Sequence, residues 1–94
     1  MVTVLNMKSS RGNKVPNQFL VWTEDDTLYF QSYQTIIARR DTKGAVTLDK
    51  NRWDYSHTTG KYRNLFLRET KKETLKKIET GEYQLEDLNR WRIN

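Results

Sequence analysis

A chain of 94 residues fits one domain, and with 35% apolar and 31% charged residues it lies toward the polar end of foldable sequences, so its eleven aromatics must supply much of a modest core. The absence of cysteine excludes a disulfide framework, a single histidine is too few for a metal centre of the usual nitrogen and sulfur type, and no apolar run is long enough to span a bilayer. The net charge of +5 makes the chain a poor mimic of nucleic-acid phosphates and points instead toward an anionic partner.

Residues 2–7, VTVLNM, carry β-branched residues in partial alternation and predict a first strand. The opening MVTVLNMK lacks the basic start and apolar stretch of a signal peptide, so a cytoplasmic location is expected. KSSRGNKVPN reads as a loop, because Ser, Gly and Asn favour turns and Pro16 cannot donate to a central ladder. QFLVWTE, the polar reversal EDDT and LYFQSY then predict a hairpin. The period of two puts Leu28, Phe30 and Ser32 on one face and Tyr29, Gln31 and Tyr33 on the other, with Leu28 and Phe30 in the core. TIIARR continues extended, DTKG supplies a turn and AVTLD returns. A strand running unbroken from 28 to 40 would be unusually long, so a bend or bulge is expected between Ser32 and Thr35.

After Asn51 the pattern turns helical. Thr58 or Thr59 is the expected N-cap, and Tyr62, Leu65 and Phe66 fall at i, i+3 and i+4 on one face that should pack on the sheet. A second helix starts at Thr70, whose capping box with Glu73 satisfies two orphan donors, and stops at Gly81. Leu75 and Ile78 are its apolar stripe, and Glu73 is placed to pair with Lys77. YQLEDL predicts a last strand or turn, and RWRIN at 90–94 is a tail without assignment. The expected architecture is a single α+β domain over 1–94, with an antiparallel sheet of three to five strands and two short helices on one face.

The charge is unevenly placed. Residues 1–33 hold three basic and three acidic side chains and residues 69–94 six of each, whereas residues 34–68 hold eight basic against three acidic. Phosphates require cations and single-stranded bases require flat side chains to stack on. The middle segment has both, so Arg39, Arg40, Lys43, Arg52, Tyr55, Lys61 and Arg63 are the candidate binding residues, interleaved with Tyr33, Trp53 and Tyr62. The aromatics Trp53, Tyr62 and Phe66 read equally well as core. Ser56 and His57 are sequence neighbours and do not face one another as nucleophile and base must, which argues against a Ser/His/Asp triad. Asp54 and His57 could still serve a metal-independent ribonuclease as base and acid. No catalytic, metal or cofactor residue is assigned beyond that alternative, and the chain is expected not to be an enzyme.

LYFQSY at 28–33, IIA at 36–38, WDYSHTTGKYRNLFL at 53–67 and ETLKKIETGEYQLEDL at 73–88 together resemble a family of small uncharacterised proteins encoded by tailed phages and bacterial mobile elements. The likeness spans residues 17–89. It implies a phage-type accessory protein that acts by binding either nucleic acid or a nucleic-acid-bound host complex, the second in the manner of an anti-defence inhibitor such as an anti-CRISPR. An uncovered edge strand would also allow two copies to pair.

Overall fold

A computed structural model describes residues 2–90; Trp91 to Asn94, which make up most of the expected tail, lie outside the described residues. Six strands and two helices follow one another as β1 (Thr3–Lys8), β2 (Lys14–Trp22), β3 (Leu28–Ser32), β4 (Thr35–Arg40), β5 (Val46–Asp49), α1 (His57–Leu67), α2 (Lys71–Glu79) and β6 (Gln84–Glu86). The strands form one sheet in sequence order. The first five make an antiparallel meander, and β6 joins parallel to β5. The α+β class is as expected, with one strand more than the upper bound. The extra strand follows from connectivity, since a parallel neighbour needs a long crossover and the two helices supply it.

Two departures from regular pairing shape the end of the sheet near α1. In β2, residues 15–18 lie opposite Met7 alone, because Lys14 pairs with Lys8 and Phe19 with Asn6. This irregular stretch accommodates Pro16, whose missing N–H breaks no ladder bond, and Asn17, whose φ of 64° is one that asparagine tolerates. The expected loop thus shortens to the residues before Lys14. The long segment from 28 to 40 folds back on itself as a hairpin, with Ser32 opposite Thr35 and a bulge that leaves Ile37 between the pairs Phe30–Ala38 and Gln31–Ile36. The expected bend is therefore a complete reversal at Tyr33 and Gln34.

Alternation sorts the sheet as expected: Phe30 and Ser32 are fully buried under α1, and Leu28 packs against the same core. Ile37, Ala38 and Leu48 complete that face, and Phe66 of α1 stacks on Phe30 with ring centroids 5.8 Å apart. Burying side chains of this size is worth about 1.5–3 kcal/mol each, the main drive for docking the helix. The face of α1 turned to the sheet is Thr59, Tyr62, Arg63, Phe66 and Leu67. Leu65, expected on that face, is instead 50% exposed. Its place is taken by polar residues that pair in the interior: the Thr59 and Ser32 hydroxyls lie 2.9 Å apart, and Arg63 is held by a network described below.

The C-terminal end of α1 is closed by Arg40, which donates to the Phe66 carbonyl at 2.9 Å with its guanidinium over the Phe66 ring, and by Arg68 at φ 59°. Thr70 and Glu73 form the expected capping box of α2. Lys77 pairs with Glu69 at 2.8 Å rather than with Glu73, whose carboxylate is already committed to the cap. Glu69, almost wholly buried, also accepts from Thr74 at 2.6 Å and from the Tyr83 hydroxyl at 2.8 Å, which ties both ends of α2 together. The chain after β6 crosses the sheet end, where Asn89 donates to and accepts from the backbone of Ile36 and the Asp49 carboxylate takes the Leu88 N–H at 2.7 Å. No helix among the described residues is long and apolar enough to cross a membrane.

Candidate nucleic-acid interface

The segment from Trp53 to Asn64 is organised by a cap and a buried cation. Ser56, in extended conformation, accepts from the Thr59 N–H at 3.2 Å and is the N-cap of α1, in place of the expected Thr58 or Thr59. Thr59 is excluded from capping because its hydroxyl points inward to Ser32. Two turns along, Arg63 is only 1% exposed. Its guanidinium donates to the Trp53 carbonyl at 2.8 Å, to Asp54 at 3.2 Å and to the Asn64 side chain at 3.0 Å, and it lies 5.1 Å from the Trp53 ring centroid. Such a fork of donors on a planar cation locks the approach to the helix onto its second turn.

Asp54 is shared. Its second oxygen meets Lys71 at 2.6 Å, so one carboxylate joins the start of α1 to the start of α2. Partial burial pushes its pKa up, but the hydrogen bonds and charges of Lys71 and Arg63 outweigh that and hold it below the ordinary aspartate value. A carboxylate in this condition is a weak proton acceptor, which counts against the base required by the ribonuclease alternative. His57 is the exposed first residue of the helix. Among the described residues no group of three His, Cys, Asp or Glu side chains is gathered as a metal site.

The candidate binding residues divide into two groups. Arg39, Arg40 and Lys43 lie at or beyond the end of β4, on the opposite side of that strand's length from the Tyr33 turn. Arg39 faces Glu86 at 3.4 Å and Arg40 is absorbed in closing α1, so neither cation is left unengaged. Arg52 and Tyr55 lie just before the start of α1, and Lys61 and Arg63 within its first two turns, where Arg63 belongs to the interior. The Arg52 guanidinium lies 5.3 Å from the centroid of the Tyr55 ring, and Lys61 lies 5.4 Å from that of Tyr62.

A pair of tyrosines stands among the exposed large side chains. Tyr33, on the β3–β4 turn, and Tyr55, just before the Ser56 cap, are each 52% exposed. Together they wall a hollow of about 540 Å³ that also takes in Asn17, Phe19, Gln34 and Thr35. Tyr33 stands at φ 56°, a left-handed conformation that a bulky side chain adopts at a cost, with its N–H held at 2.6 Å by the Asn17 carbonyl. Sequence reasoning reached both tyrosines but not Asn17 and Phe19. The part of Asn17 depends on the irregular stretch of β2, for which Pro16 is the sequence signal.

Neither the curated proteins nor the solved structures contain a match to this chain. Residues 2–82, from the first strand to just beyond the second helix, match the model of a family of unknown function, DUF8033, and the chain belongs to that family.

Proposed function

We propose that this chain is a non-enzymatic accessory protein of phage type that binds single-stranded nucleic acid in the host cytoplasm, with Tyr33, Tyr55 and Arg52 as its stacking surface. The observation that carries the reading is the shared hollow between two half-exposed tyrosines, one of them backed by a guanidinium. Bases unstacked from a duplex present flat faces to such rings, and each stack is worth about 1–3 kcal/mol. Lys61 and the exposed start of α1 lie next along the chain and offer positive charge to the phosphates that follow. Arg39, Arg40 and Lys43 are too far along β4 to serve the same hollow and contribute to the general positive field.

The test is fluorescence anisotropy with single-stranded and duplex DNA and RNA at several salt concentrations. Binding that prefers single strands, weakens steeply with salt and falls by about tenfold or more for Tyr33→Ala or Tyr55→Ala supports the reading. Flat titrations at low salt for every oligonucleotide would overturn it. The same surface would then be a protein-docking face, as an anti-defence inhibitor requires, and capture of a host complex dependent on Tyr55 would establish that. Cleavage of RNA abolished by His57→Ala would establish the nuclease alternative.

A further inference from the structure

A second concavity, beside the start of α1, includes neither tyrosine nor Arg52 of the proposed stacking surface and shares with that reading Lys61 and the helix start. It is a cleft of about 740 Å³ between the β1–β2 loop and α1, within the size range of small-molecule sites. Ser9 and Ser10 form one wall, Lys61 and Leu65 of α1 another, and Lys71 stands at the α2 end. Its lining is more apolar than polar because Tyr62 and the half-exposed Leu65 contribute their carbon surface. Lys61, Arg63 and Lys71 against the single carboxylate of Asp54 leave it with a positive excess.

One further detail points to a ligand. Arg63 lines the cleft while only 1% exposed, and its Nε finds no hydrogen-bond partner, although its terminal nitrogens donate to Trp53, Asp54 and Asn64. A buried guanidinium donor without an acceptor is costly and is the type of group a ligand oxygen would satisfy. Gly60 contributes only its backbone where it lines the cleft, and a side-chain carbon there would come within 3.7 Å of the Arg63 nitrogens. That is ordinary van der Waals contact, which a small side chain could make without displacing the guanidinium.

We infer that this cleft binds a small phosphate-bearing molecule with an apolar or aromatic body, of the nucleoside monophosphate class, its phosphate toward Lys61 and Lys71 and its body against Leu65. The inference does not depend on the stacking surface. Isothermal titration calorimetry with AMP, UMP and inorganic phosphate, alongside amide chemical-shift mapping, tests it on the full chain. The expected result is saturable nucleotide binding with shifts at Ser9, Ser10, Gly60 and Lys61. Affinity should fall about tenfold or more in Lys61→Ala, the factor that loss of one charge-assisted hydrogen bond represents, and fall again in Leu65→Ser. Both positions are exposed, so both variants should fold, and Tyr33→Ala should bind the nucleotides as the parent does. Absence of heat and of shifts at millimolar nucleotide overturns the inference. So does equal binding of inorganic phosphate and nucleotide with no effect of Leu65→Ser, which would reduce the cleft to a nonspecific patch of positive charge.

Discussion

Arg63 lies in the segment densest in polar and charged candidates, and its buried network gives it a specific energetic consequence. Truncation to alanine removes donors to the Trp53 carbonyl, Asp54 and Asn64, together with the stacking on Trp53. Hydrogen bonds to charged groups are worth about 1.5–3 kcal/mol each, but they do not sum here, since Asp54 is over one third exposed and keeps Lys71. Breaking a buried charged network by removing one partner costs about 3–5 kcal/mol, and that is the expected loss. A domain of this length has roughly 5–14 kcal/mol in total, so Arg63→Ala should be marginally folded, with a melting temperature lower by about 15–30 °C. Arg63→Lys keeps the charge but not the fork, and should fall between, at about 1.5–3 kcal/mol. Urea unfolding followed by tryptophan fluorescence reads both directly. A change under about 1 kcal/mol for Arg63→Ala, accompanied by weaker nucleic-acid binding and a salt slope shallower by about one, would refute the reasoning. The guanidinium would then serve a ligand and not the fold.

Three other consequences are open to measurement. Tyr33→Gly relieves the left-handed strain at φ 56° while adding the entropy cost of glycine, so stability should stay within about 1 kcal/mol of the parent in urea unfolding while single-strand affinity drops. Arg68→Gly, at the left-handed cap of α1, should raise stability by about 0.5–1 kcal/mol in the same assay, because glycine meets no Cβ penalty at φ 59°. Burial raises the Glu69 pKa, but the bonds from Lys77, Thr74 and Tyr83 overcome this and hold it below the ordinary glutamate value. The folded state therefore binds the Glu69 proton less readily than the unfolded chain, and its contribution is complete above the unfolded pKa of about 4.3 and fades as pH falls through the lower folded value. The stability gap between the parent and Glu69→Gln should accordingly be widest near neutral pH and narrow in acid; a gap independent of pH from 7 to about 3 would contradict this.

Much of the architecture is legible in local sequence. Alternation in LYFQS assigns Phe30 and Ser32 to the buried face, and the Thr70 to Glu73 spacing specifies a capping box, because both depend on residues a few positions apart. Helical periodicity, by contrast, misplaces Leu65. It ranks residues by apolarity, whereas the docked face of α1 admits Thr59 and Arg63 once Ser32 and the Trp53 carbonyl are there to receive them. The parallel pairing of β6, the substitution of Ser56 for a threonine cap and the choice of Glu69 by Lys77 likewise depend on partners distant in sequence or set by packing.

The surface shows the same division. Composition and charge placement determined that residues 34–68 carry the positive excess, with Trp53, Tyr55, Tyr62 and Phe66 among them. Only the tertiary structure decided which of those cations are left over, since Arg40 closes a helix, Arg63 sits inside and Arg39 meets Glu86. It also set Tyr33 beside Tyr55 across 22 residues of chain, because the β3–β4 turn and the lead into α1 come to one end of the sheet. Sequence fixes which chemistry a chain possesses; long-range pairing determines what remains exposed to use it, because burial and charge pairing are properties of residues brought together by the fold.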